Sequence, residues 1–467
     1  MENKPSRTTF RERMDEMIRT LRSDIVTGKL QSGTFLPSIH QLSKQYRLSI
    51  NSVQKGLDEL VAESLIERIP RVGIRVTDTR EHKAVSISVG YYPTLVDDID
   101  LNRLTERFQL RYPHIRVKLV PLQLSNYFDV ADYYLKNEIV DVIAINQIHF
   151  RQFFEADGDL EDRFEPLEED DGHYPYLSDP YRANGRLLVK PVIFSPVVLC
   201  YNKRHFAERG VPEPPMDWKW SEFMECLELL KGEHGDVILP FYFYPSTSNR
   251  WPIFILQSGV DFAAQRSGKL DWSCSPILDS IQTCYDLIHR QKMFSILLSE
   301  NDFGVERLFA QQKVSVMMTS YFNLNRMRNA DLAFDVAPLP YVHTPKTLLL
   351  TIGLALNRRS KQKEAGRTFI DFVTSAESQL HIRKHTYSIP ALRQAAEWEG
   401  EEARYRPPRF GMYRDISHTY AQLYDLELRS DDRERLLAAM NMYWMGLQSI
   451  ETTISQLSAI GDYAPAK

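Results

Sequence analysis

Asn51, Gln54 and Lys55 are polar residues whose types and spacing suit contact with DNA bases. Asparagine and glutamine can each form two hydrogen bonds with an adenine edge in the major groove, and lysine can reach guanine or a phosphate. Spacings of three and four residues place the three side chains on one face of a helix. The first chemistry that the sequence suggests is therefore recognition of duplex DNA.

Three helices and a hairpin are predicted to position these residues. Ser38 with Gln41 has the form of a capping box at the start of the second helix. Residues 65–69 and 74–76 are predicted strands around a turn at 70–73. Apolar residues recur at helical spacing in three segments, which contain Met14, Met17, Ile18, Leu21, Ile25 and Val26, then Ile39, Leu42 and Tyr46, then Val53, Leu57, Leu60 and Val61.

This order of elements predicts a winged helix-turn-helix of the α+β class over residues 1–80. The alternative is a three-helix interaction module whose surface charges only face water. Residues 1–80 hold 14 Lys and Arg against 10 Asp and Glu, whereas the remainder holds 43 against 52. A basic head on an acidic body favours contact between the head and a polyanion. We expect the DNA contacts to come from Ser38, His40, Ser49, Asn51, Ser52, Gln54, Lys55, Arg68, Arg71 and Gly73.

Residues 10–78 resemble the DNA-binding domain of GntR-type bacterial transcription regulators. The entry "G.L..G..LPS...L", the helix "S...V...L..L" and the wing "LIER...G..V" all fall in register. The resemblance implies a homodimer on a palindromic, double-stranded operator. The chain departs from the family at Ile39 and His40, at Ile50 and at Gln54, where cationic or acidic residues are usual. Fewer cations predict weaker phosphate attraction and an atypical operator.

Strands alternate with helices in the first part of the remaining chain. Val85, Ile87 and Val89 alternate as a strand, and residues 141–145 form a short apolar run typical of a buried parallel strand. An α/β domain with its ligand site beyond the carboxyl ends of the strands is therefore predicted. Loops that follow these strands contain Tyr92, Asn146 and Gln147.

No catalytic or metal-binding motif is evident in the sequence. GxSxG, HExxH, P-loop and GxGxxG patterns in a suitable setting are missing. The acidic run 168–171 is predicted to be a solvated loop, and His381 and His385 are expected to be structural, because no third ligand is evident. We therefore expect no enzyme activity, no cofactor and no metal.

Much of the body resembles family 1 extracellular solute-binding proteins, which have the type II periplasmic-binding fold. The resemblance rests on "NGRLLVKPVIFSPVVLCYNKRHFAERGVPEPPMDWKWSEF", "RLFAQQKVSVMMTSYF", "FDVAPLP" and "GLALNRRSKQKEAGRTFIDFVTSAESQLHIRKHTYSIPAL", which occur in the family's order. It departs at Leu188 and Val189, where Tyr-Gly is usual. The resemblance implies a two-lobed α/β domain, over residues 84–467, that closes on ligand between the lobes.

Sugar sites use flat aromatic faces and planar polar groups. The resemblance implies ligand contacts from Asn146, Gln147, Ser195, Tyr244, Trp251, Tyr321 and Phe322, and the loop after the first predicted strand adds Tyr92. The alternative for each of these residues is burial in the protein core. For Trp251, contact with the ligand and burial in the core are equally favoured. Trp218 and Trp220 are predicted to be core residues. Among the possible ligands, we expect an oligosaccharide first, ahead of amino acids, polyamines and phosphorylated metabolites.

These features together predict a ligand-responsive DNA-binding regulator. The N-terminal residues contain no apolar segment typical of an export signal, and no run approaches the roughly 18 apolar residues of a membrane span. The four cysteines have no CxxC spacing and are expected to be reduced. A cytoplasmic location is therefore expected. The alternative to a regulator is a sugar-binding or sugar-processing protein in which the winged helix serves only as an anchor.

Overall fold

The head consists of three helices and a two-stranded hairpin. The computed structural model describes residues 7–26, 29–62, 65–70, 72–77, 85–123, 126–157, 160–169, 172–231, 239–263, 271–290, 304–400 and 405–460. In the head these include α1 (Arg7–Val26), α2 (Ile39–Tyr46), α3 (Ile50–Ala62), β1 (Ile66–Ile69) and β2 (Gly73–Val76). The strands are antiparallel and pair Ile66 with Val76. The predicted winged helix-turn-helix is therefore confirmed.

One small apolar core holds these elements together. It contains Met17, Leu21, Leu42, Val53 and Leu57, which come from all three helices. Ser38 begins α2 with the predicted capping box, in which Gln41 N donates to Ser38 Oγ over 3.3 Å and Ser38 N donates to Gln41 Oε1 over 2.8 Å. Caps of this kind stabilise a helix by about 1 kcal/mol.

The first lobe of the body, called the N-lobe, is a parallel sheet covered by helices. It contains β3 (Val85–Tyr91), α4 (Leu95–Asp98), α5 (Leu101–Arg111), β4 (Ile115–Pro121), α6 (Tyr127–Lys136), β5 (Val142–Asn146), α7 (Gln147–Asp157) and β6 (Phe164–Glu165). Strand β3 lies between β4 and β5 and is parallel to both. The carboxyl ends of these strands consequently lie at one edge of the sheet.

Two long antiparallel strands join the lobes. They are β9 (Val189–Asn202) and β13 (Thr347–Asn357), and they are preceded by α8 (Pro175–Ser178), β7 (Arg182–Ala183) and β8 (Arg186–Leu187). All residues of β9 are buried. Gly353 is required at an irregularity in this pairing, because a Cβ there would lie 2.6 Å from the Lys190 carbonyl oxygen.

The second lobe, called the C-lobe, continues the same sheet. It contains α9 (Lys203–Arg209), α10 (Trp220–Leu230), β10 (Leu239–Tyr242), α11 (Pro252–Leu256), α12 (Ser275–Arg290), α13 (Gly304–Ala310), β11 (Val314–Ser320), α14 (Tyr321–Leu324) and β12 (Phe334–Ala337). The strand order along the main path is β10-β11-β9-β13-β5-β3-β4. The strands of the two lobes thus lie on opposite sides of the β9–β13 pair.

The last part of the chain packs on both lobes. It comprises α15 (Lys363–Thr374), α16 (Ala376–His385), β14 (Ile389–Pro390), α17 (Arg393–Ala396), α18 (Met412–Asp415), β15 (Tyr420–Ala421), α19 (Ser430–Trp444) and α20 (Ile450–Leu457). Phe369 and Ile382 belong to the N-lobe core, whereas Leu436 and Leu457 belong to the C-lobe core. The two-lobed α/β architecture is therefore as predicted.

The head contacts the N-lobe through α1. This helix packs against α5, and a groove between head and lobe is lined by Ile18 and Arg22 on one side and Arg107 and Leu380 on the other. Residues 78–84, which include the predicted domain boundary, lie outside the described residues. Among the described helices, none is long and apolar enough to cross a membrane.

Candidate functional site

Helix α3 presents a polar face to solvent. Asn51, Gln54 and Lys55 are exposed on it, and Ile50 beside them is 42% exposed. The opposite face holds Val53 and Leu57, which are fully buried. Core packing therefore fixes the orientation of α3 and leaves outward the three side chains that the sequence suggested for base contacts.

Three predicted DNA-contacting serines have local structural roles. Ser38 caps α2. Ser49 and Ser52 bond to each other, with 2.6 Å between their Oγ atoms, and Ser49 Oγ also accepts from Ser52 N. Ser52 is buried in the head, and its contact with DNA stays a prediction. His40 is exposed on α2.

The wing is tied to α3 by an ion pair. Arg68 Nη2 donates to Asp58 Oδ1 over 2.5 Å and to the Gln54 carbonyl oxygen over 3.4 Å. Both charged groups are about half exposed, so the pair contributes roughly 0–1 kcal/mol and can be exchanged for a phosphate at little cost. Gly73 opens β2 with a φ of 151° beside the Phe35 ring. Arg71 lies outside the described residues.

A cleft between the lobes contains three of the predicted ligand residues. Asn146 and Gln147 lie at the carboxyl end of β5, and Phe322 approaches from α14. The floor is the β13 segment 348–352, which belongs to the pair that joins the lobes. The other lining residues are Ile148, Arg151, Ser248, Asn249, Leu423, Tyr424 and Arg433.

Hydrogen bonds fix the N-lobe wall of this cleft. Asn146 Oδ1 accepts from His149 N over 2.8 Å, and Gln147 Nε2 donates to Thr351 Oγ1 over 3.2 Å. Tyr92 Oη accepts from Asn146 N over 3.0 Å and lies 2.7 Å from His149 Nδ1. Burial lowers the pKa of His149 to about 4, so the ring is neutral at neutral pH and can accept the Tyr92 hydroxyl proton.

Two arginines that lie close to one another line the cleft. Arg151 follows Gln147 by one turn of α7, and Arg433 lies on α19. Glu155 lies near both, 3.4 Å from Arg151 Nε and 3.7 Å from Arg433 Nη1. Desolvation and the charge of Arg151 lower the pKa of Arg433, whereas the Glu155 charge raises it. The arginines are thus near enough to repel one another.

Comparison with family models matches two parts of the chain. Residues 94–380 match the bacterial extracellular solute-binding protein family, which is more than half of the sequence. The chain belongs to this family. Residues 14–76 match the gntR family of bacterial regulatory proteins, so the head is a GntR domain. Neither match is to an enzyme family. A comparison with curated proteins finds no match.

Solved structures with the same fold cover the solute-binding domain. An ABC substrate-binding protein from Listeria monocytogenes, in complex with cycloalternan, has a TM-score of 0.68 and 16% identity over 80% of this chain and 97% of its own. Maltose-bound MalE3 of T. maritima has a TM-score of 0.66 and 18% identity over 80% and 98%. The GacH receptor of Streptomyces glaucescens has a TM-score of 0.67 and 15% identity over 81% and 100%. At these identities the likeness shows the fold alone.

Four predicted ligand residues of the solute-binding domain are buried instead. Tyr92 packs at 4.4 Å from the Tyr127 ring and positions Asn146. Ser195 Oγ accepts from Tyr321 N and donates to the Pro196 carbonyl oxygen, and Tyr321 Oη donates to the Phe410 carbonyl oxygen. Trp251 is 2% exposed and belongs to the C-lobe core. Because these side chains are enclosed by protein, they support the cleft walls and do not form them.

Tyr244 has an indirect position beside the cleft. Its carbonyl oxygen accepts from Thr247 N and Oγ1, and this turn leads to Ser248 and Asn249, which line the cleft. The predicted core positions of Trp218 and Trp220 are confirmed, since both are buried and their indole nitrogens donate to Pro338 O and Gln257 Oε1.

Sequence reasoning missed several lining residues. Arg151 could have been found, because it follows Gln147 by four residues and so lies on the same helix face. Ser248 and Asn249 belong to the same segment as Tyr244 and Trp251, and it is the polar residues of this segment, not its aromatic ones, that line the cleft. No pattern in the neighbouring sequence indicates that Arg433 lines the cleft, because only the packing of α19 brings it there.

His381 and His385 have the structural role that was expected. His381 Nε2 lies 2.9 Å from Asp100 Oδ2 and its Nδ1 lies 3.0 Å from Arg107 Nη1. His385 Nδ1 donates to the His381 carbonyl oxygen over 2.9 Å. The His381 contacts fasten α16 to α5, whereas the His385 bond is internal to α16.

Proposed function

We propose that this protein is a ligand-responsive transcription regulator. The GntR domain binds operator DNA through α3 and the wing, and the solute-binding domain binds a carbohydrate in the interlobe cleft. Occupancy of the cleft changes the fit of the head on DNA. The observation that carries this proposal is the packing of α1 of the head against α5 of the N-lobe, since the same lobe supplies Asn146 and Gln147 to the cleft.

A carbohydrate suits the polar lining of the cleft and agrees with the ligands of solved structures that share the fold. Amide and hydroxyl groups of Asn146, Asn249 and Tyr424 line the cleft together with the Phe322 ring and the largely aliphatic floor of residues 348–352. Neighbouring structures of the same fold are described as bound to cycloalternan and to maltose. A sugar presents both hydroxyls and C–H surfaces, which match these two kinds of lining.

Ligand closure supplies the mechanical step. The lining comes from both lobes and from β13, so a solute that contacts both walls favours the closed arrangement. Movement of the N-lobe carries α5, and α5 contacts α1. Coupling of about 1–3 kcal/mol changes DNA affinity by about 5- to 150-fold.

A homodimer makes this movement effective. Two heads on one duplex must match the spacing of two half-sites, so a small change in head separation alters affinity. We propose this dimer and a cytoplasmic location as parts of the same function, without a catalytic step. Net positive charge of the head suits the polyanion, whereas the negative body stays clear of it.

The experiment begins with duplexes that purified full-length protein selects from a random library. The affinity for a selected duplex is measured by gel shift, with and without each sugar that raises the melting temperature of the protein. We expect the affinity to change several-fold with a stabilising sugar. Lack of any duplex binding at low ionic strength contradicts the proposal. Unchanged duplex affinity at saturating sugar favours the anchored binding module, and turnover of the sugar favours an enzyme.

A further inference from the structure

The cleft carries positive charge that a neutral sugar would not need. Arg151 and Arg433 line it, and none of the described residues that line it carries a carboxylate. Carboxylates accept hydrogen bonds from the hydroxyl groups of a neutral sugar, whereas guanidinium groups only donate hydrogen bonds. The lining therefore has an excess of positive charge.

Glu155 cancels only part of this charge. Its distances of 3.4 Å and 3.7 Å to the two guanidinium groups exceed the 2.7–2.9 Å typical of a charge-assisted hydrogen bond. Its closest contact is instead with the backbone nitrogen of Ser430, which donates to Glu155 Oε2 over 2.9 Å. One carboxylate is thus shared loosely between two cations.

Arg433 is held in place by neutral oxygens. Its guanidinium donates to the Leu428 carbonyl oxygen over 2.6 Å and to Ser430 Oγ over 2.7 Å. These bonds fix the orientation of a side chain that is only 9% exposed, but they leave its charge in place. The ion pair of this buried cation with Glu155 is long, so an anion bound in the cleft would give the charge a closer partner.

The first turn of α7 adds to this preference. Asn146, Gln147 and Ile148 line the cleft at the start of this eleven-residue helix, and Arg151 follows one turn later. The partial positive charge of a helix N-terminus favours an anion. Asn249 on the opposite wall has a buried Oδ1 atom that no described donor reaches, which suits a ligand hydroxyl.

From this arrangement we infer that the ligand of the cleft is an anionic saccharide, with a carboxylate or phosphate group between Arg151 and Arg433 and hydroxyl groups toward Asn249. The inference rests on the proposed function, since it takes the cleft to be the effector site. It disfavours polyamines, whose cations the arginines repel.

The test compares matched probes on the purified full-length protein without DNA. D-glucuronate carries a carboxylate, D-glucose 6-phosphate and maltose 6′-phosphate carry phosphates, and D-glucose and maltose are their neutral counterparts. We expect at least one acidic probe to bind at least about tenfold more tightly than its neutral counterpart. Its affinity should fall as sodium chloride rises, because salt screens the charges. The carboxylate and phosphate arms show which acid group is preferred.

Two variants separate the cleft from general charge effects. Arg151→Gln should weaken binding of the acidic probe about tenfold and leave binding of neutral sugars nearly unchanged. Arg204→Gln is the matched control, because Arg204 is also paired with a glutamate four residues later but lies on α9 of the C-lobe surface. It should bind like the wild type.

The results distinguish this inference from the proposed function. Binding of neutral sugars at least as tight as that of the acids overturns the inference, as does failure of every acid to bind or an equal effect of the two variants. The proposed function would be unaffected by that result, with a neutral sugar such as maltose as the effector. If an acid binds through Arg151 but leaves duplex affinity unchanged, the inference stands and the proposed function fails.

Discussion

Gln147 Nε2 donates a hydrogen bond to Thr351 Oγ1 over 3.2 Å, and this bond joins the cleft wall of the N-lobe to the strand that connects the lobes. Gln147 begins α7, whereas Thr351 lies within β13 and is almost fully buried. The bond therefore sets the position of the wall relative to the floor before any ligand binds.

Removing the acceptor should loosen this junction. Thr351→Val keeps the shape but removes the hydroxyl, so we expect a loss of about 0.5–1.5 kcal/mol in the free energy of unfolding. Thr351→Ser is the control, since it keeps the oxygen. Denaturant unfolding of the three proteins measures the difference. Equal midpoints for Thr351→Val and wild type contradict the proposed role of the bond.

The exposed face of α3 should determine DNA selectivity. Replacing Asn51 and Gln54 together by Ala removes two amide side chains that can read bases, each worth about 1–3 kcal/mol of discrimination. We expect the variant to lose preference for a selected duplex over a scrambled one in gel shifts. Circular dichroism should be unchanged, because both side chains are exposed.

Gln31→Ala is the control for the loss of an exposed amide, because Gln31 precedes α2 in an exposed loop of the head. It should retain the selectivity of the wild type. An Asn51/Gln54 double variant with unchanged footprints would assign base recognition to another face of the head.

Local patterns in the sequence predicted the framework well. The Ser38–Gln41 capping box, the alternation of β3 and the apolar run of β5 each act over a few residues, so their outcome is decided locally. Asn146 and Gln147 were predicted because polar residues that follow a parallel strand meet at one edge of the sheet.

Tertiary packing decided what these patterns could not. Tyr92, Trp251 and Tyr321 have the aromatic faces of sugar-binding residues, but an aromatic side chain serves equally well in a core. Arg433 joins Arg151 at the cleft only because α19 packs back on the lobes. The sequence could not decide between burial and ligand contact for these three aromatic residues, and a contact between distant segments cannot be deduced from spacing in one sequence.

The burial of Trp251 changes what its replacement should do. Trp251→Ala removes a large side chain from the C-lobe core, so we expect a loss of about 3–5 kcal/mol in the free energy of unfolding. Any loss of ligand affinity should follow from displacement of the nearby turn with Ser248 and Asn249. Thermal unfolding checks the first effect and titration the second.

Leu229→Ala provides the control for the loss of apolar volume, because Leu229 is mostly exposed on α10. Its melting temperature should stay close to that of the wild type. A Trp251→Ala protein with normal stability and weakened sugar binding would place the indole on the cleft wall after all.

The acid sensitivity of the N-lobe should depend on His149. Burial lowers its folded-state pKa from 6.5 to about 4, so the unfolded chain binds the proton more readily between these values. Stability contributed by the neutral ring is therefore complete above about pH 6.5 and is lost as the pH falls toward 4, by roughly 3 kcal/mol. Asp98 acts in the opposite direction, because burial raises its pKa to about 7 and its protonated form stabilises the fold at lower pH.

A variant isolates the histidine from this opposing effect. His149→Gln removes the titrating ring and keeps a group that can accept the Tyr92 hydroxyl proton, while Asp98 remains in both proteins. We expect the free energy of unfolding of the wild type to fall by up to about 3 kcal/mol relative to the variant between pH 6.5 and 4. Denaturant unfolding at several pH values measures this difference. Parallel curves for the two proteins would mean that protonation of His149 costs the folded state nothing, and that the Tyr92–His149 contact does not fix the cleft wall.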